Sequence, residues 1–181
     1  MNLKTGYIGA RKGSKYGPAP LLARTLLMPY TDRHHFFILG DYIEDEDDWV
    51  ILESIAKGVA VGRLSWYDKS ELEFYRPFQF TEEMGKKAAQ QSTRYGRCGY
   101  GYLLYLAMIR YGLKALFWNI IRYRWFHIYY TDIPNIENRS LICTELVNNA
   151  YKGLARIFDD RYEATPSNFE QQVKLGFIEK V

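Results

Sequence analysis

Apolar residues follow two different rhythms along this chain. In the first half they come as short unbroken runs: Phe36-Phe37-Ile38-Leu39, Trp49-Val50-Ile51-Leu52 and Gly58-Val59-Ala60-Val61-Gly62-Arg63-Leu64. Runs of this length, rich in β-branched and aromatic side chains, predict strands. The acidic stretch Glu44 to Asp48 separates the first two, so they read as an antiparallel hairpin closed by a solvated turn. Phe74 to Phe80 adds a fourth strand, which Pro77 either places at an edge or ends. Ahead of these strands, Gly6 to Gly17 is rich in glycine and lysine and is followed by Pro18 and Pro20. That composition predicts a loop leading into a short helix, about Leu21 to Met28, which Pro29 stops.

In the second half the apolar positions recur at helical spacing. Thr81 is placed to cap a helix, with Glu82 and Glu83 in its first turn and lysines further on, matching the helix dipole. A long apolar helix is expected from about Tyr100 to Ile121, a polar loop at Asn135 to Arg139, and a further helix from Cys143 to about Leu154. Thr165-Pro166-Ser167-Asn168 starts a last short helix, and Phe177-Ile178 closes with a strand. Strands first and helices after them predict an α+β fold with an antiparallel sheet.

Composition narrows the class. The 181 residues suit a single domain spanning 1–181, and 48% apolar content excludes a disordered chain. A formal net charge of +3 gives no reason to expect a nucleic-acid partner. Sixteen tyrosines suit a half-wet groove or a protein contact. Cys98 and Cys143 are read as free thiols, because a chain of this length does not need a disulfide. The first residues lack the apolar core of a secretion signal, so a cytoplasmic or virion-associated protein is expected. The Tyr100–Ile121 stretch is long enough to span a bilayer on paper. Arg110 and Lys114 interrupt it and Gly112 weakens it, so a buried helix is expected and no transmembrane span. The flanking Arg122, Arg124 and Trp125 would suit contact with an acidic surface.

Three places carry candidate chemistry. Cys143 opens its helix, where unpaired N–H groups and the helix dipole favour a thiolate. The same residue lies on an apolar stripe with Leu146, Val147, Ala150 and Leu154, which is also the pattern of an inert core thiol. His34 and His35 precede a strand; in a regular strand they would point to opposite faces, so one of them would face the helices. Glu53 ends the run Val50-Ile51-Leu52 and reads either as a strand end at the surface or as a buried carboxylate that needs a donor, which the histidine strand across the hairpin would supply. His127 sits among aromatics and is assigned to structure. The acidic run lacks the glycine and distant glutamate of a calcium loop, the glycine-rich start lacks the ending of a phosphate loop, and no paired CxxC suggests zinc. No cofactor and no metal are expected.

Taken in order, His-His-Phe-Phe-Ile-Leu-Gly-Asp, Leu-Glu-Ser-Ile with Gly58-Val59, Cys-Thr-Glu-Leu-Val-Asn-Asn-Ala-Tyr, and Thr165-Pro166-Ser167 resemble the circularly permuted branch of the NlpC-type papain-like cysteine hydrolases. In that branch the histidine strand precedes the cysteine helix. The most specific piece is Cys143-Thr144-Glu145-Leu146-Val147, close to the family's C-S-E-L-V. The resemblance implies a central antiparallel sheet or half-barrel packed against the cysteine helix and the long apolar helix. It implies a nucleophile at Cys143, an orienting carboxylate at Glu53, and a general base at His34 or His35. Matching Gly40-Asp41 to the family's Gly-Asp favours His34; a shift of one residue gives His35. Where the family usually has Ser or Thr just before its histidine, Arg33 or His34 stands here, and where it often has a small residue two positions later, Phe36 or Phe37 stands. Backbone N–H groups at the Cys143 helix start, with Thr144 and a tyrosine such as Tyr100 or Tyr102, would hold an oxyanion or bind substrate.

The function so implied is hydrolysis of an amide bond through a thioester, with a cell-wall peptide as the leading substrate and an acyl amide or ester second. The rival from another class is a non-catalytic component of a larger assembly, such as a phage particle, that keeps the fold.

Overall fold

A computed structural model of the chain describes residues 2–12, 32–55, 57–96, 99–100, 110, 117, 140–158 and 164–181. Its centre is a six-stranded, wholly antiparallel sheet built from β1 (Ile8–Lys12), β2 (Arg33–Ile43), β3 (Asp48–Ile55), β4 (Gly58–Arg63), β5 (Leu72–Pro77) and β8 (Ile178–Lys180). The order across the sheet is β4-β3-β2-β1-β5-β8. Two short parallel strands, β6 (Gly99–Tyr100) and β7 (Ser140–Leu141), form a separate pair. Three helices are described: α1 (Glu82–Thr93), α2 (Cys143–Tyr151) and α3 (Pro166–Lys174). The class is therefore α+β with an antiparallel sheet.

The unbroken run at 36–39 reflects burial on both faces of the sheet rather than one. Phe36 and Ile38 join Ile8, Ala10, Leu52 and Tyr75 in a core completed by helix residues: Ala88 and Ala89 of α1, Cys143, Val147, Ala150 and Tyr151 of α2, and Phe169 of α3. Phe37 and Leu39 join Tyr7, Ile51, Leu64 and Phe74 in a second core on the opposite face. Helix ends follow local chemistry. Thr81 Oγ1 accepts from Met84 N at 3.1 Å, and Thr165 Oγ1 accepts from Asn168 N at 3.2 Å ahead of Pro166. At α2 the Glu145 carboxylate reaches back to accept from Ile142 N at 2.7 Å, half of a capping box.

Several expectations need correction. The glycine-rich segment expected as a loop contains β1, which lies between β2 and β5 and borrows its order from both neighbours. Gly9 has a specific reason to lack a side chain there: a Cβ would come within 2.0 Å of the Phe37 ring. The acidic turn is solvated only in part. Asp48 is buried and accepts from Ser65 Oγ at 2.7 Å, Ser65 N at 3.1 Å and Trp49 N at 2.8 Å. β5 is an inner strand, flanked by β1 and β8, and Pro77 ends it. Tyr100, expected to start a helix, has a strand backbone. The Leu21–Met28 helix, the Asn135–Arg139 loop and nearly all of the Tyr100–Ile121 helix lie outside the described residues. Among the described residues, no helix is long and apolar enough to cross a membrane.

The alternation expected for His34 and His35 is broken by a bulge. Arg11 pairs with His35, but the next residue of β1, Lys12, pairs with Arg33, so β2 carries an extra residue between those two pairs. A bulge of this kind bends the strand and redirects side chains. Arg33 accordingly lies on the same face as Phe36, against Tyr75 and Glu73, while the His35 ring stacks with Tyr67 on the face of Phe37.

Candidate active site

Glu53 sits on β3 directly opposite Phe37 of β2, which places its carboxylate within reach of the bulge. It is 4% exposed. One of its oxygens, Oε2, lies 2.6 Å from His35 Nε2 and accepts from the Tyr67 hydroxyl at 2.5 Å. The other oxygen, Oε1, faces Gly62 of β4, where a Cβ would come within 2.8 Å of it. Tyr67 follows a short 3-10 turn, Leu64–Trp66. Its ring stacks with those of His35 (centroids 6.0 Å apart) and Phe37 (5.7 Å).

Cys143 is the first residue of α2 and is 4% exposed, packed with the helix-side core; the His35 side chain is 17% exposed. The His35 ring has two polar partners. Nε2 is engaged by Glu53, and the ring lies near enough to Cys143 for the sulfur to favour its protonated form. The ring thus links a carboxylate on one face of the sheet to a sulfur held by a helix on the other.

The charges reinforce one another. Burial works against a protonated His35, but the hydrogen bonds to Cys143 and Glu53 and their negative charge outweigh it and raise the ring to about 9. Near neutral pH the His35 ring therefore keeps its proton. Burial would raise Glu53; the bonds from His35 and Tyr67, with the charge on His35, hold it below the usual carboxylate range instead. Burial and the bond to Glu53 push the Tyr67 phenol well above its ordinary value, so it stays a donor.

The preference for His34 is corrected by this geometry, which brings His35 to Cys143 and Glu53. His34 belongs to neither contact. Its Nδ1 is buried without a hydrogen-bond partner, and burial, then the charges of Arg11 and His35, keep its pKa below the ordinary value. The Thr144 side chain is wholly buried and its hydroxyl donates to the Ala164 carbonyl, which joins α2 to the segment before α3. The Tyr100 backbone pairs with Leu141, two residues before Cys143. Tyr102, Cys98 and His127 lie outside the described residues. Among the described residues, no group of three or more His, Cys, Asp or Glu side chains could hold a metal ion.

Sequence reasoning missed Tyr67 and Gly62. The signal available was physical rather than a motif. A buried carboxylate has more lone pairs than one imidazole can satisfy, so a second donor had to exist. No protein-family model matches this chain, and no curated protein matches it in sequence.

Proposed function

We propose that this chain is a cysteine hydrolase of the circularly permuted papain-like kind, cleaving an amide bond through a thioester. The single observation that carries the reading is the position of the His35 ring, bonded to Glu53 at 2.6 Å and near enough to Cys143 to feel its sulfur. Cysteine, imidazole and orienting carboxylate are the parts of a nucleophilic acyl-transfer site. Their order along the chain, histidine strand before cysteine helix, is the one implied by the motifs around Cys143 and Glu53.

In this mechanism the Cys143 thiolate attacks the carbonyl carbon, forming the S–C bond. First-turn N–H groups of α2, which a helix leaves without intrahelical partners, stabilise the oxyanion. The C–N bond then breaks and imidazolium His35 gives its proton to the leaving amine. Neutral His35 next takes a proton from water as that water attacks the thioester; the S–C bond breaks and the acid leaves. Glu53 keeps the ring oriented and compensates its charge throughout. A cell-wall peptide is the leading substrate class, and an acyl amide or ester is second.

Alkylation by iodoacetamide tests the site before any substrate is known. We expect Cys143 to label at neutral pH, to label at least about tenfold more slowly in His35→Gln, and to be little changed in His34→Gln. Cys143→Ala abolishes both the labelling of this position and hydrolysis of cell-wall peptides. The 4% exposure of Cys143 favours the rival reading, a structural component of a larger assembly that keeps the fold without turnover. That rival predicts slow labelling that is indifferent to both histidines.

A further inference from the structure

We propose that Tyr67 is a positioning residue for the thiol site: its hydroxyl clamps the Glu53 carboxylate against His35, in space that Gly62 leaves open. The inference rests on the reading of Cys143 and His35 as a reactive pair and adds the part that fixes the third member.

A carboxylate on a flexible side chain can turn away from its imidazole, and orientation is what the third member of such a site supplies. Here the same oxygen, Oε2, is shared by His35 Nε2 at 2.6 Å and the Tyr67 hydroxyl at 2.5 Å. Two donors converging on one oxygen restrict rotation of the carboxylate in a way that either alone would not. Behind it, Oε1 occupies the space that a Cβ at position 62 would need.

Tyr67 is itself well anchored. Its N–H donates to the Leu64 carbonyl at 3.1 Å, and Leu64 is buried. The turn before it is held to β3 by Ser65, whose hydroxyl and N–H both reach Asp48. The ring stacks with those of His35 and Phe37, and the Arg11 guanidinium sits 5.5 Å from its centroid while bonded to Glu71 at 2.9 Å. Tyr67 therefore touches the site twice, with its hydroxyl on Glu53 and its ring face on His35. It does not touch Cys143 in this scheme, and it acts through the other two residues.

The test is a ring titration by NMR with labelled histidine. The chain has only three histidines, so His34→Gln and a substitution at His127 assign the signals. We expect the His35 midpoint to lie near 9 in the unaltered protein. In Tyr67→Phe, which removes the hydroxyl but keeps the ring, it should fall by about one pH unit or more, with a matching fall in Cys143 alkylation at neutral pH. Gly62→Ala reaches the same carboxylate without touching Tyr67 and should move the midpoint the same way; it stands in if Tyr67→Phe fails to fold. A midpoint unchanged or raised in a folded variant overturns the role of Tyr67. The two levels separate cleanly. Alkylation of the unaltered protein that ignores His35→Gln overturns the hydrolase reading, whereas alkylation that needs His35 but is indifferent to Tyr67→Phe overturns this inference alone.

Discussion

At the scale of single residues, the site is defined by how protons are held. His35 is raised in the folded state from its ordinary 6.5 to about 9. Below pH 6.5 the ring is protonated folded or unfolded, and the full stabilisation from its partners is present. As pH rises through about 9 the folded ring loses its proton and that contribution disappears. The stability difference between the unaltered protein and His35→Gln, followed by urea midpoint, should therefore shrink as pH climbs through 9. Glu53 behaves with the opposite sign: its contribution is present above its ordinary 4.5 and is lost as pH falls through its lowered folded value. Cys143 was legible as a helix start and Glu53 as a carboxylate after an apolar run that needs a donor if buried, although Glu53 lies inside β3 and not at its end. The choice between His34 and His35 was not legible. It depends on a bulge that only pairing with β1 reveals, and β1 itself lay hidden in a glycine-rich segment.

At the scale of elements, sequence rhythm located β2, β3, β4, β5 and α1, together with the starts of α2 and α3, because each has a local cause: an apolar run, a capping threonine, a proline at the first turn. What rhythm could not give was β1, whose residues Gly9, Ala10, Arg11 and Lys12 have weak strand preference and are ordered by the strands on either side. The fit of β1 to β2 is close. Gly9→Ala places a methyl group into the Phe37 ring, which must move, and the cost should be about 1–3 kcal/mol by urea denaturation. Because Phe37 stacks on Tyr67, the same change should slow Cys143 alkylation, although residue 9 touches none of the reactive groups.

At the scale of the whole molecule, one buried carboxylate ties the sheet together at the end remote from β4. Glu73 of β5 bonds Arg33 of β2 at 2.7 Å, Lys12 of β1 at 3.0 Å, Lys180 of β8 at 2.6 Å and the Tyr75 hydroxyl at 2.8 Å, and Arg33 pairs in turn with Glu170 of α3. Burial would raise Glu73, but these donors outweigh it and lower the carboxyl to about 2. The stabilisation is complete above the ordinary 4.5 and is lost as pH falls from there toward 2. Glu73→Gln should cost about 3 kcal/mol near neutral pH, and its urea midpoint should flatten over that acid range where the unaltered protein's falls. Arg33 serves this cluster while His35, two positions on, holds Glu53, and they lie on opposite faces only because β2 is one residue too long. That surplus is a matter of parity. A variant lacking His34 would restore an unbroken ladder with β1 while leaving Arg33 and His35 on their present sides. Such a protein should fold and keep its acid-sensitive cluster, yet with the bend ironed out its imidazole should drift from Cys143.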